Sequence, residues 1–390
     1  ALLLAEVIGM AGTSTFVALV PEFTALWHLS AAEAGWISGI YFGGYALAVP
    51  FLMVWTDRID SRRIYFAATI LSGVAQLGFA LASDGFWSAM LWRGLAGIGL
   101  AGTYMPGLRA LTDRLEGAYH SRATAWYTAF FGVGASGSIW FTGVLERAAG
   151  WQMAAGAAAI GSVGAIVLAT WALKPITLPP RPTETRLLDF RPVLSNRQAL
   201  GYIFAYVAHS IELLGARAWI VAYLVFSAGR SGAGEGWWSA TAIATVIGLL
   251  GTPASILGNE FAQRFGRARV ASVVMTISAV VTVFAGLGNG LAYGWLVLLM
   301  VLHGVVIMGD SATLTAGTVL SADPAYRGAT MALHTTLGFI ASTISPVIFG
   351  VILDASGGSH NPTAWAWAYG FLAAATLGGP LALRLVAKSG

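Results

Sequence analysis

Cysteine is absent from this chain of 390 residues, and charge is scarce, with Asp, Glu, Lys and Arg making up only 10% of it. Without cysteine there is no disulfide framework, no thiolate catalysis and no zinc-thiolate centre. A soluble domain carries about 25% charged residues. A chain that is 57% hydrophobic, with a mean hydropathy of +0.74, cannot clothe a water-facing surface. A soluble enzyme and a nucleic-acid-binding domain are therefore excluded. Enzyme signatures are missing too: there is no HExxH, no GxSxG and no phosphate loop ending in Gly-Lys-Ser/Thr. GIGLAG, from Gly97 to Gly102, has dinucleotide-turn spacing, but no strand precedes it. No enzyme activity and no cofactor are expected, and ATP-driven pumping lacks its motif.

Glycine and tryptophan are plentiful, at 49 and 15 residues. Both suit a helical membrane protein, since glycine is common in spanning helices and tryptophan gathers at membrane interfaces. A span takes about 20 apolar residues, and the apolar stretches predict twelve. They lie near 1–26, 34–56, 64–83, 86–110, 122–145, 151–173, 199–228, 236–258, 269–288, 291–319, 328–353 and 363–386. The connecting loops alternate in charge. One set carries nearly every Arg and Lys, including Arg58, Arg62, Arg63, Arg264, Arg267 and Arg269, while the other has only Arg147 and Arg230. The positive-inside rule then puts both termini in the cytoplasm, as an even number of spans requires. The net charge of +4 follows from this bias, with the lipid bilayer rather than nucleic acid as partner.

One long connection, rich in proline and arginine, divides the chain into residues 1–173, a linker 174–198 and residues 199–390. The second part of the linker is expected to form a short helix on the membrane surface. Self-similarity appears across it at one offset. Adding 206 takes Glu6 to Glu212, Gly9 to Gly215, Arg58 to Arg264, Arg63 to Arg269, Ala123-Thr124 to Ala329-Thr330 and Ala135-Ser136 to Ala341-Ser342. A fixed offset held over three regions predicts two homologous six-helix halves in parallel orientation.

The loops MVWTDRIDSRR and NEFAQRFGRAR, after the second and eighth spans, resemble the cytoplasmic motif of the major facilitator superfamily. The first keeps Asp57 and Arg58 but has Met53 and Asp60 at glycine positions. The second keeps Arg264, Gly266 and Arg267 but has Gln263 for the acid. LWRGLAGIGLAG resembles the family's second motif, with Arg93 as its arginine. The fifth span, FFGVGASGSIW, lacks the Gly-Pro pair of the family's antiporters. The resemblance covers essentially the whole chain. It implies an all-α polytopic fold of two pseudo-symmetric six-helix bundles and alternating-access transport, with substrate bound at mid-membrane between the halves. It also implies that Asp57, Arg58, Arg62, Arg63, Arg264, Gly266 and Arg267 form a cytoplasmic gate.

An ionisable group inside a span is costly unless it faces protein or water, so each marks a functional position. Glu6, Arg93, His209, Glu212, Arg217, His303 and Asp310 are the candidates for binding substrate or protons, with His334 assigned to structure. Glu6 and Glu212 occupy matched positions, as proton sites or as acids bonded to nearby hydroxyls. His209 and Glu212 share a helix face. Arg217 is turned about 140° from Glu212 and needs another partner. His303 and Asp310, two turns apart, form either a relay or a packing histidine and a separate acid. These residues predict a proton-coupled secondary transporter, monomeric and in the cytoplasmic membrane, for a small polar or charged organic molecule. Arg93 and Arg217 tip the balance towards an anion. The alternatives are proton-driven efflux of cationic or amphipathic compounds, and a receptor or assembly factor that keeps the fold without transport.

Small residues recur every four positions at Gly35, Gly39 and Gly43, and at Gly338, Ser342, Pro346 and Gly350, which predicts close helix contacts.

Overall fold

The computed structural model describes residues 1–56, 58–115, 118–176, 190–232 and 238–387. Among these the regular structure is entirely helical. In chain order the helices are α1 (Leu2–Gly9), α2 (Thr15–Ala18), α3 (Val20–Leu26), α4 (Ala31–Trp55), α5 (Ser61–Ala82), α6 (Phe86–Thr112), α7 (Ala118–Ala149) and α8 (Trp151–Ala172). There follow α9 (Arg191–Ser195), α10 (Arg197–Ser231), α11 (Ala240–Phe265), α12 (Arg267–Leu287), α13 (Tyr293–Met308), α14 (Ser311–Ser321), α15 (Arg327–Ala355) and α16 (Pro362–Ala387). Ten helical segments are long and apolar enough to cross a membrane on their own. The broken run α1–α3 and the Arg93-bearing α6 correspond to the other two predicted spans. The short α9 falls in the linker stretch where a surface helix was expected.

Two compact units are present. One comprises Ala1–Leu29 and Ile40–Pro182, the other Ser30–Gly39 and Thr183–Gly390. In the first, α5 packs against α6 and α8, and α1 against α7 and α8. Phe23 lies at the centre of an aromatic cluster there, within 5.6 Å of the rings of Phe16, Trp27, Phe79 and Trp151. In the second unit, α10 packs against α14, α15 and α16.

Two predicted spans are not continuous. The first is interrupted between Gly9 and Thr15, and the tenth divides at Gly309 and Asp310. Neither break is repeated in the other half: α10 runs unbroken where the first span breaks, and α6 where the tenth does. The repeat thus sets the helix order without setting each helix's continuity.

The first turns of α4, within the second unit, lie against α15 with almost no space between backbones. A Cβ on Gly35 would meet the Pro346 carbonyl, one on Gly39 the Thr343 carbonyl, and one on Gly350 the Ala31 carbonyl. Asp354 accepts hydrogen bonds from the Ala31 and Ala32 N–H groups at 2.9 and 2.8 Å. It thus satisfies donors that the start of a helix leaves open. Gly39→Val is expected to destabilise the protein by about 1–3 kcal/mol, the scale of overpacking. Gly137→Val is the control, because nothing lies within 4 Å of a Cβ there. Thermal unfolding in detergent should show a lower midpoint for the first variant alone.

Candidate proton and substrate sites

Irregular backbone at membrane depth is tolerated only where its polar groups find partners within the protein. The break after α1 meets that condition through side chains from three other helices. Arg93 of α6 donates from Nη1 to the Gly12 carbonyl (3.2 Å) and from Nη2 to the Thr13 carbonyl (2.9 Å). Ser138 Oγ of α7 accepts from the Ser14 N–H at 2.8 Å. Tyr41 of α4 donates to Thr13 Oγ1 at 3.2 Å, and the Arg93 guanidinium lies 4.4 Å from the centre of the Tyr41 ring. Arg93 is 3% exposed and its Nε has no partner. Its charge therefore rests on backbone dipoles and an aromatic face, with no carboxylate within 4 Å among the described residues.

Arg217 of α10 likewise has no carboxylate within 4 Å among the described residues. Two acids of the second unit, Glu212 and Asp310, face other groups. Glu212, 1% exposed, accepts on Oε1 from Ser278 Oγ at 2.8 Å and from Thr282 Oγ1 at 2.5 Å. Thr282 Oγ1 also lies 2.8 Å from His303 Nε2 and 2.8 Å from the Ser278 carbonyl. A hydroxyl has one proton to donate and two lone pairs. When Thr282 donates to an ionised Glu212, it can accept from His303. When Glu212 is protonated and donates instead, Thr282 can turn its own proton to His303 or the Ser278 carbonyl. Glu212, Thr282 and His303 thus form a chain along which one proton's position resets the others.

Asp310, placed by the break between α13 and α14, sets an oxygen 2.7 Å from His209 Nδ1, with both side chains 2% exposed. The approach falls outside hydrogen-bond geometry, so the contact acts as charge attraction when His209 is protonated. The Tyr206 ring stacks on His209 (centroids 5.8 Å apart) and on His334 (3.9 Å). His334 Nδ1 lies 3.2 Å from Thr318 Oγ1. Of the two readings offered for His303 and Asp310, the contacts among the described residues favour separate roles: His303 joins Glu212 through Thr282, and Asp310 faces His209.

Ser278, Thr282 and Tyr206 were not singled out in the sequence, although Ser278 and Thr282 are one helical turn apart and share a face. The repeat explains why Glu6 and Glu212 differ. Subtracting 206 turns Ser278 into Ser72, Thr282 into Gln76 and His303 into Gly97. The first half keeps the serine but lacks the threonine that bonds Glu212 and the histidine that bonds this threonine.

Of the motif residues, Asp57 lies outside the described residues. Arg58, Arg63 and Arg264 are exposed, and Arg62 lies over the Phe66 ring at 5.0 Å. Arg267 donates to Asn259 Oδ1 at 2.6 Å. Gly266 has φ +94°, a conformation that L side chains rarely adopt. Its counterpart Asp60 has φ −55° and caps α5, accepting from the Arg62 N–H at 3.0 Å. Asp60 also takes a two-pronged bond from Arg114 Nη2, at 3.0 and 2.9 Å, and one from the Ile176 N–H at 3.2 Å. Arg114 in turn reaches the Lys174 carbonyl at 2.8 Å. An acid in a glycine's place thus ties the end of α6 and the start of the linker to α5. Partial burial alone would push the Asp60 carboxyl up, but the Arg62 and Ile176 N–H groups and the Arg114 guanidinium outweigh it and hold it below the ordinary aspartate range.

The profile of the Major Facilitator Superfamily matches residues 2–346. The chain belongs to that family, and it is a transporter rather than an enzyme. Its fold is similar to the crystal structure of a bacterial homolog of the human lysosomal transporter Spinster, in an inward-facing and occupied conformation. The TM-score is 0.74 with 16% identity, covering 100% of this chain and 95% of that one. The nucleoside transporter NupG is similar at TM-score 0.76 and 15% identity, over 99% and 98% of the two chains. In sequence, 83 residues are 35% identical to the uncharacterized MFS-type transporter YcaD of Escherichia fergusonii. For the Escherichia coli protein of that name the figure is 36% over 85 residues. These stretches cover 21% of this chain and 22% of those relatives.

Because the folded state holds Asp60 ionised, its clamp is complete at neutral pH and is lost as pH falls through the lowered value. Asp60→Asn is expected to lower the thermal midpoint at neutral pH. The gap from the unsubstituted protein should close as the medium is acidified below the ordinary aspartate range, read by unfolding scans across pH.

Proposed function

We propose that this protein is a proton-coupled secondary transporter of a small organic anion. The observation that carries this reading is the state of the two spanning arginines. Neither Arg93 nor Arg217 has a carboxylate within 4 Å among the described residues, while Glu212 is hydrogen-bonded to Ser278 and Thr282 and Asp310 lies against His209. Arg93 is buried and Arg217 partly buried, a cation withdrawn from water without a counter-ion is unfavourable, and an anionic group on the substrate relieves that cost. Arg217 is the freer of the two, since Arg93 is already tied to the Gly12 and Thr13 carbonyls. Arginine's planar fork suits a carboxylate or phosphate taken on two prongs.

Proton coupling rests on the Glu212–Thr282–His303 chain and the His209–Asp310 pair. Both are buried, and both change their internal bonding with protonation. The arginine-rich loops support cytoplasmic termini in a cytoplasmic membrane. The exposure of the motif arginines Arg58, Arg63 and Arg264 supports the reading that they act in an inward gate.

A thermal-shift screen of organic anions, cations and neutral solutes on purified protein tests the substrate class. Anions should give the stabilising hits. Arg217→Lys should weaken binding of such a hit about tenfold, equivalent to one charge-assisted hydrogen bond of about 1.5 kcal/mol. Hits confined to cations or neutral compounds would overturn the anion reading. In proteoliposomes carrying a proton gradient, Glu212→Gln should abolish uphill accumulation of the hit while leaving exchange at equal concentrations. Wild-type accumulation by that variant would remove Glu212 from the coupling path.

A further inference from the structure

Glu6 has none of the bonds that hold Glu212. It is 6% exposed, and both carboxylate oxygens are buried without a hydrogen-bond partner. They border a cavity of about 20 Å³ within the first unit, room for about one water-sized body. Tyr65, Thr69, Ser72, Thr103, Tyr104 and Tyr127, all hydroxyl-bearing, line it from α5, α6 and α7, and no Arg, Lys or His does.

The direction of the hydroxyl protons gives this cavity its character. Thr69 donates to the Tyr65 carbonyl at 2.7 Å, Thr103 to the Leu100 carbonyl at 3.2 Å and Tyr127 to the Thr103 carbonyl at 2.9 Å. Each hydroxyl has a single proton. With those protons given to backbone, the three oxygens can offer only lone pairs to a further partner. A carboxylate thus shares its pocket with acceptors, an arrangement that suits a cation.

Charge and size narrow the choice. One carboxylate neutralises one positive charge, whereas a divalent ion would leave an excess charge in hydrocarbon. A cavity for one water-sized body excludes organic ammonium groups. A proton on Glu6 itself is the competing way to neutralise the charge, and it leaves the lone pairs around the cavity without a cation to hold. A hard metal ion sits about 2.3–2.6 Å from each oxygen it binds. It therefore bridges oxygens too far apart to hydrogen-bond directly. We propose that the Glu6 cavity is a binding site for a small monovalent metal cation, Na+, held by the carboxylate and the surrounding hydroxyl oxygens. The site is separate from the proton chain of the second half and does not depend on the anion reading. The repeat accounts for its presence in one half only, because Thr282 and His303 become Gln76 and Gly97 there.

Equilibrium binding of radioactive sodium to the purified protein at mildly alkaline pH, without organic solute, tests this directly. Saturable binding is expected that unlabelled Na+ displaces, and that choline and Mg²⁺ do not. Thr103→Val should weaken it about tenfold, the scale for losing one group at a metal site. Glu6→Gln should abolish it, and Glu212→Gln should leave it intact. K+ is the selectivity arm: displacement by K+ as strong as by Na+ would overturn the assignment to Na+. Absence of saturable binding by the unsubstituted, monodisperse protein would overturn the site, leaving Glu6 to protons alone. So would binding that survives Glu6→Gln, or that disappears with Glu212→Gln. If Glu6→Gln does not fold, the unsubstituted protein and Thr103→Val decide the matter. Loss of proton coupling in Glu212→Gln with sodium binding intact separates this inference from the proposed function.

Discussion

Hydrocarbon offers polar groups no water, and the arrangement of both halves follows from how each such group is satisfied. The interruption of the first span is the clearest case. Its freed carbonyls at Gly12 and Thr13 are held by Arg93, and the Ser14 N–H by Ser138. Arg93 in turn needs those carbonyls, because no acid neutralises it among the described residues. The unwound segment and the buried arginine thus account for each other. A change in the ligation of Arg93 would be felt in the first span's backbone, which links a candidate substrate group to the element bearing Glu6.

The two halves use matched acids in different ways. Glu212 is fixed by hydroxyls and a histidine, so its proton is coupled to the tautomer of His303 through Thr282. Glu6 shares a cavity with hydroxyls that give their protons to backbone, and its own oxygens have no hydrogen-bond partner among the described residues. At the offset of 206, Thr282 stands against Gln76 and His303 against Gly97, so the matched positions differ in chemistry. The same divergence appears in the motif loops. Gly266 uses positive φ to turn the chain, while Asp60 turns it at negative φ and gains a carboxylate that ties down α6 and the linker.

The similarity to solved transporters is a similarity of fold, at 15–16% identity. It shows the fold alone and leaves the cargo to be argued from side chains. Among the described residues these include two arginines without a carboxylate within 4 Å, and the proposed anionic substrate rests on that charge.

Much of this was legible in the chain itself. Scarcity of charge, apolar runs of spanning length and the one-sided placement of arginine determine a polytopic helical protein, because hydrocarbon admits little else. The constant offset of 206 pointed to a two-half plan, and the motif loops to the family. The short list of spanning ionisable residues pointed to the positions that matter, since such residues are expensive to bury. Pairing was decided only in three dimensions. His303 meets Thr282 of α12, which bonds Glu212, while Asp310 meets His209 of α10, and helical spacing within one span says nothing about partners on other helices. Thr282 and Ser278 come to Glu212 from α12, some 66 to 70 residues away in sequence, so no local pattern announces them. Whether an acid is bonded or bare depends on neighbours from other helices, and only tertiary packing brings those neighbours within hydrogen-bond reach.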